Sequence, residues 1–272
     1  MISLARRRTL IKLALGAAWL PGCGGGGGDG GSPSGNGGST STTLPTPIAL
    51  TLQAKSNGVT YPVWVYEPPD AQSGPPPPVV YFSDAEAYLT MLVQIVTGYG
   101  FRVTLVGVAN PTPAQRQVDL LEPGADPYYS FLVDELAPYI ESRYRVDSAK
   151  RILSGHSSGG LFVGYALFKE SPANRRFHAY ICADASFWQQ PDQVAQGEAA
   201  MFAANAAGGL PVTAVFGADA MGNQAYVTPI YDEIAARKYS LFRTTYFTYN
   251  LGHVPMYTPF FHDALAFILS GA

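Results

Sequence analysis

Cysteine is nearly absent from this chain, with two residues in 272, Cys23 and Cys182. Once Cys23 is committed elsewhere, Cys182 has no partner, so no intramolecular disulfide is expected. No Cys/His group has zinc-like spacing. No phosphate-binding glycine loop is present either, because the polyglycine at 24–28 lacks a following Lys-Ser/Thr and a flanking strand. No metal or organic cofactor is therefore expected. Long apolar runs are also missing: the N-terminal one ends near Leu20, short of the ~20 residues a spanning helix needs. The body of the chain has no basic cluster. Removing residues 1–22 deletes four positive charges and no negative one, taking the formal charge from −3 to −7. That balance excludes nucleic acid as an expected partner. A long lid insertion is not evident, which argues against a triglyceride lipase. Histidine is scarce too, with four in the chain, so a candidate general base can be found by elimination.

What is present begins with MISLARRRTLIKLALGAAWLPGC. A basic start, a short apolar core and small residues before a processing point describe an export signal over 1–22. Leu20-Pro21-Gly22-Cys23 resembles the bacterial lipoprotein box, which makes Cys23 the expected lipidation site. Arg7-Arg8 followed by Thr9-Leu10-Ile11-Lys12 resembles a twin-arginine signal, with the general secretory route as the alternative. Residues 23–47 are Gly/Ser-rich and offer little apolar surface to offset the entropy of ordering. They read as a tether from a membrane surface, facing the bacterial periplasm or cell exterior, to a folded domain over 48–272. Roughly 225 residues suffice for one α/β core.

Within that domain, apolar strands alternate with helices. Strands are expected over 60–66, after the proline run at 75–78, and over 102–110, 151–154, 177–184, 211–219 and 242–250. Helices are expected over 85–98, 130–144 with a break at Pro138, 158–168, 194–207, 226–238 and 259–269. This order implies a mostly parallel central sheet with helices on both faces, and active residues in such sheets collect at the carboxyl ends of strands.

SGHSSGG, at 154–160, places G-x-S-x-G between a strand and a helix. A serine hydroxyl needs a base to take its proton and a third group to orient that base. Ser157 is the candidate nucleophile. Gly155 and Gly159 allow a tight turn, and the helix opening at Ser158 aims free amides at developing negative charge. Of the four histidines, His156 adjoins the serine, His178 opens a strand and His262 lies on the last helix. His253, in the loop NLGHVPMY after the last strand, is the candidate base. Asp219, ending the strand PVTAVFGAD, is the preferred acid, and Asp184, ending the preceding strand, is the alternative. The backbone amides of Ser158 and Ala85 are the candidate oxyanion donors. Tyr128, Tyr129, Phe187, Trp188 and Tyr257 are candidate substrate walls, with core packing as the competing reading.

With these residues placed, the chain resembles the putative esterase family of α/β-hydrolases, which includes esterase D and bacterial siderophore-ester hydrolases. The resemblance runs from about Val63 to the C-terminus. It is densest at 131–168, where a helix, the Tyr-Arg-Val-Asp turn and the G-H-S-x-G-G elbow follow one another. VVYFSDAEAYL resembles the family's oxyanion segment, with Ala85 where glycine is usual, and DASFW stands where Ser-Pro-Ser-x-Trp is frequent. The resemblance implies an α/β-hydrolase fold and triad roles for Ser157, Asp219 and His253. It also implies hydrolysis of small carboxylic esters, siderophore esters among them, through an acyl-enzyme. A non-catalytic surface-binding lipoprotein and an acyltransferase with the same triad are the competing readings.

Overall fold

A computed structural model describes residues 46–205 and 209–271; the expected export signal, Cys23 and all but the end of the tether lie outside the described residues. Eight strands form one sheet in the order β1-β2-β4-β3-β5-β6-β7-β8. They are β1 (Ile48–Gln53), β2 (Thr60–Tyr66), β3 (Pro78–Ser83), β4 (Thr104–Val108), β5 (Asp147–His156), β6 (Ala179–Ala183), β7 (Thr213–Asp219) and β8 (Arg243–Tyr249). β1, β2 and β4 pair antiparallel at one edge, and every pairing from β4 through to β8 is parallel. The expected α/β-hydrolase architecture is the one observed.

The inner parallel strands β3, β4 and β6 read as nearly continuous apolar runs because both faces of the sheet are covered there. Successive side chains point to opposite faces, so Val79 and Tyr81 join one core cluster while Val80 and Phe82 join the other. The first cluster packs under α5 (Ser158–Phe168), α6 (Pro191–Asn205) and α7 (Gln224–Arg237). The second lies under α1 (Ala85–Gly98) and α8 (Tyr257–Leu269) and holds Leu92, Val93, Val96, Phe260, Phe261 and Leu265. Cys182 is a free thiol in the first cluster, its pKa pushed up by burial and then by the nearby Asp184 charge.

β1 and α2 are among the elements that fall outside the sequence expectation. β1 (IALTLQ) is a short edge strand, exposed at four of its six positions, with only Leu50 and Leu52 packed against the core. α2 (Pro113–Leu120) is polar and depends on local chemistry: Thr112 caps it by accepting the Gln115 amide at 3.0 Å, with proline in the first turn. The expected helix over 130–144 is a composite of α3 (Ala125–Ser130), a π-helical segment over Phe131–Leu136 and α4 (Ala137–Glu141). Pro138 sits in the first turn of α4, and the wider π turns precede it. Proline has no N–H to return to residue 134, so the regular ladder breaks one turn earlier than the proline itself. Among the described residues, no helix is long and apolar enough to cross a membrane.

Candidate active site

The elbow is built by sterics. β5 ends at His156 and α5 begins at Ser158, leaving Ser157 at φ 61° and ψ −121°. Such a conformation is unfavourable for a residue with a Cβ and persists only where the surroundings over-determine it. Here the Ser157 amide donates to the Ala183 carbonyl and the Ser157 carbonyl accepts the Ser186 amide, both at 3.0 Å. A Cβ on Gly155 would stand 2.2 Å from the Gly159 carbonyl oxygen, so strand and helix can meet only through glycine there. A Cβ on Gly159 would stand 2.5 Å from Ser83 Oγ, which places the turn after β3 directly against the elbow.

The serine faces the expected histidine. His253 Nε2 lies 2.9 Å from Ser157 Oγ, and His253 Nδ1 lies 2.6 Å from Asp184 Oδ2. The expected acid, Asp219, is not the group on the imidazole. Asp219 Oδ2 accepts the Leu251 amide at 2.6 Å and Oδ1 accepts the Met221 amide at 2.9 Å. Burial opposes ionisation at Asp219, but the amides of Leu251, Met221 and Gly252 outweigh it and hold the carboxyl below the usual carboxylate range. Asp219 thus fastens the loop that carries His253, while Asp184 meets the ring. Asp184 leaves β6 at φ 40° and is fully buried. Its second oxygen accepts the Asp219 and Asn223 amides, both at 3.0 Å. Those two bonds fix the carboxylate plane with Oδ2 free for the histidine.

His156, the elbow residue set aside in the sequence, is part of this assembly. Its side chain is buried, Nε2 donates to the His253 carbonyl at 2.7 Å, and Nδ1 lies 2.9 Å from the Tyr88 hydroxyl. A carbonyl accepts only, so Nε2 carries the proton and Tyr88 donates to Nδ1. Burial pushes the His156 pKa down to about 4, keeping the ring neutral. His156, Asp184 and His253 place nitrogen and carboxylate atoms within 4.8 Å of one another. Every ring nitrogen of that group is engaged in a hydrogen bond, so neither imidazole has a lone pair free for a metal in this arrangement.

Ser158 opens α5 and Ala85 opens α1, positions whose amides have no intrahelical acceptor. The turn before Ala85 holds Asp84 in the left-handed region at φ 59°. Asp84 is pinned by Arg116 through bonds of 2.6 and 2.8 Å and by Asn110 Nδ2 at 2.6 Å. Nothing in the sequence near Asp84 announced Arg116 or Asn110; both arrive from the loop and helix that follow β4.

Of the candidate substrate walls, Tyr128, Tyr129, Phe187 and Tyr257 are buried in the core, and Trp188 is half exposed. An apolar cavity of about 210 Å³ lies between α5 and α6, lined by Leu161, Tyr165, Phe168, Gln190 and Val194 among others, and its lining includes none of Ser157, Asp184 and His253.

Residues 54–218 match the family model described as "Putative esterase"; the match includes Ser157 and Asp184 and stops short of His253. Ferri-bacillibactin esterase BesA of Bacillus subtilis (strain 168) is 27% identical over 176 residues, 52% of this chain and 58% of the relative. The alignment thus spans little more than half of that curated relative. Among solved structures, the BES protein of Bacillus cereus is similar with a TM-score of 0.71 at 19% identity, covering 83% of this chain and 97% of the other. The siderophore hydrolase EstA of Aspergillus nidulans has a TM-score of 0.67 at 17% identity, covering 83% and 95%. At such identities these structures speak for the fold, and the family match speaks for descent: the chain belongs to the putative esterase family.

Proposed function

We propose that this protein is a serine ester hydrolase whose nucleophile is Ser157, whose general base is His253 and whose orienting acid is Asp184. The observation that carries the reading is the continuous hydrogen-bonded line from Ser157 Oγ through the His253 ring to Asp184 Oδ2. The Nδ1–H of His253 donates a hydrogen bond to Asp184, which leaves Nε2 as the acceptor facing the serine hydroxyl. In acylation, Oγ bonds to the ester carbonyl carbon as its proton passes to Nε2. The collapsing intermediate expels the alcohol, which takes that proton. Water then attacks the acyl-enzyme with the same histidine as base, releasing the acid and restoring Oγ–H. The amides of Ser158 and Ala85, at the starts of their helices, are the proposed donors to the oxyanion, where one such donor is worth ~3 kcal/mol.

Family membership supports ester hydrolysis as the activity, and the relative named for a ferri-bacillibactin ester makes siderophore-type esters the first natural substrates to screen. The N-terminal sequence supports export and lipid attachment at Cys23, which Cys23→Ser tests by release from the membrane fraction of the native host. The activity is tested by mass spectrometry after treatment with a fluorophosphonate. One adduct on Ser157, lost in Ser157→Ala, is expected. A folded protein that takes no adduct, or takes it elsewhere, overturns the assignment.

A further inference from the structure

We infer that Ser186 is a fourth catalytic group, donating a hydrogen bond to the nucleophile oxygen. The inference rests on the serine-hydrolase reading above and adds a residue to its reacting centre.

Direction of donation is what the side chains settle. Ser186 Oγ lies 3.2 Å from Ser157 Oγ, and Ser186 is buried. Either hydroxyl can donate across that contact, so the neighbours decide. The Trp188 indole N–H, which can only donate, meets Asn223 Oδ1 at 3.2 Å. That contact fixes the amide orientation, so Asn223 Nδ2 is the end facing the loop after β6. Nδ2 donates to the Asp184 carbonyl at 2.8 Å and to Ser186 Oγ at 3.2 Å. On the other side, the His253 Nδ1–H donates a hydrogen bond to Asp184, and Nε2 accepts one from the Ser157 hydroxyl. Ser157 has spent its one proton, and Ser186 has accepted from Asn223. The remaining arrangement has the Ser186 hydroxyl pointing its proton at Ser157 Oγ.

This directed chain runs Trp188, Asn223, Ser186, Ser157, His253, Asp184, and each group donates to the next. Asn223 also closes it, because its backbone amide donates to Asp184. As Ser157 loses its proton to His253, negative charge builds on Oγ, and a hydroxyl donor already in place strengthens its bond with that charge. Ser186 keeps its own proton throughout. In the acyl-enzyme Oγ is an ester oxygen and a poor acceptor, so the bond weakens. It recovers in deacylation as Oγ departs from the tetrahedral intermediate. The interaction is therefore stronger in the transition states than in the states that flank them, which is the condition for raising kcat.

The test compares wild type, Ser186→Ala and Ser186→Cys, using a p-nitrophenyl ester for turnover and a fluorophosphonate for the inactivation rate. Circular dichroism reports the fold of each. Loss of a hydrogen bond to a developing charge predicts that Ser186→Ala lowers kcat and the inactivation rate by about 10- to 100-fold. KM should stay near wild type, and the acid limb of the kcat/KM–pH profile should keep its midpoint, since His253 and Asp184 are undisturbed. The thiol is a weaker donor of similar size, so Ser186→Cys should fall between the two. A packing role would rank Cys with Ser. Wild-type rates in Ser186→Ala, a Cys variant equal to wild type, or a displaced pH midpoint would each overturn the inference. A wild-type protein that takes no label defeats the underlying reading as well, which separates the two failures.

Discussion

His156 and His253 are joined through the main chain: the His156 ring donates to the carbonyl oxygen of the residue whose imidazole faces Ser157, at 2.7 Å. The elbow that presents Ser157 thereby also holds the loop that presents His253, with Tyr88 of α1 supporting the ring from its other nitrogen. Phenylalanine at 156 would remove the donor to that half-buried carbonyl, at a cost of roughly 0.5–1.5 kcal/mol. His156→Phe is expected to lower kcat by about 10- to 100-fold with little change in KM. His156→Gln, whose amide can still donate, should retain activity within about 5-fold. Steady-state kinetics on one chromogenic ester decide it, and equal losses in the two variants would refute the hydrogen-bond account.

The same residue predicts how stability depends on pH. Folding lowers the His156 pKa from 6.5 to about 4, burial being the main cause, with the His253 carbonyl, Asp184 and Asp84 opposing it. Between those values the unfolded chain binds more protons than the folded one, so stability rises with pH across that window. Full stabilisation is present above about 6.5, declines as pH falls and is lost below about 4, for a total near 3 kcal/mol. Urea unfolding at a series of pH values should show this slope, and His156→Gln should flatten it. An unchanged slope in the variant would assign the effect to other groups.

Asp184 and Asp219 should separate by activity. Asp184→Asn replaces an acceptor with a group that can present N–H to His253 Nδ1, selecting the wrong tautomer. A loss of about 1,000-fold or more in kcat is expected by analogy with the orienting acid of serine hydrolases. Asp219→Asn keeps one acceptor for the Leu251 and Met221 amides, so the expected loss is about 10-fold or less. Loop loosening should also lower thermal stability. Measured kcat values in the reverse order would return the orienting role to Asp219.

This pair also marks where the sequence stops being sufficient. The turn that carries Ser157 was legible because a glycine on either side is a local steric requirement, and the placement of His253 beside it because so few histidines compete for that place. The two aspartates each terminate a parallel strand, and those strands are neighbours in the sheet. Choosing between them depends on the positive φ at Asp184 and on amides from residues 219 and 223, which are remote in sequence. The parallel strands and amphipathic helices followed from apolar patterning. β1 is a short edge strand and α2 a polar helix, and they are placed by sheet pairing and a threonine cap. Ser186 and Asn223 gain significance only from direction of hydrogen bonding, which no spacing rule encodes.

Gly222 offers a last test of the Asp184 position. A Cβ at 222 would stand 2.1 Å from Asp184 Oδ2, the oxygen bonded to His253, and 3.0 Å from its carboxyl carbon. Neither Asp184 nor the turn can absorb that overlap in place, because Asn223, the next residue, donates its amide to the other carboxylate oxygen. Gly222→Ala should therefore displace the carboxylate, lowering kcat by about 10- to 100-fold, with an overpacking penalty of roughly 1–3 kcal/mol in stability. The decisive comparison is a double-mutant cycle with Asp184→Ala. Once the carboxylate is gone, the added methyl has nothing to displace, and Gly222→Ala should cost no further activity. Additive losses would show that residue 222 acts on the site by another route.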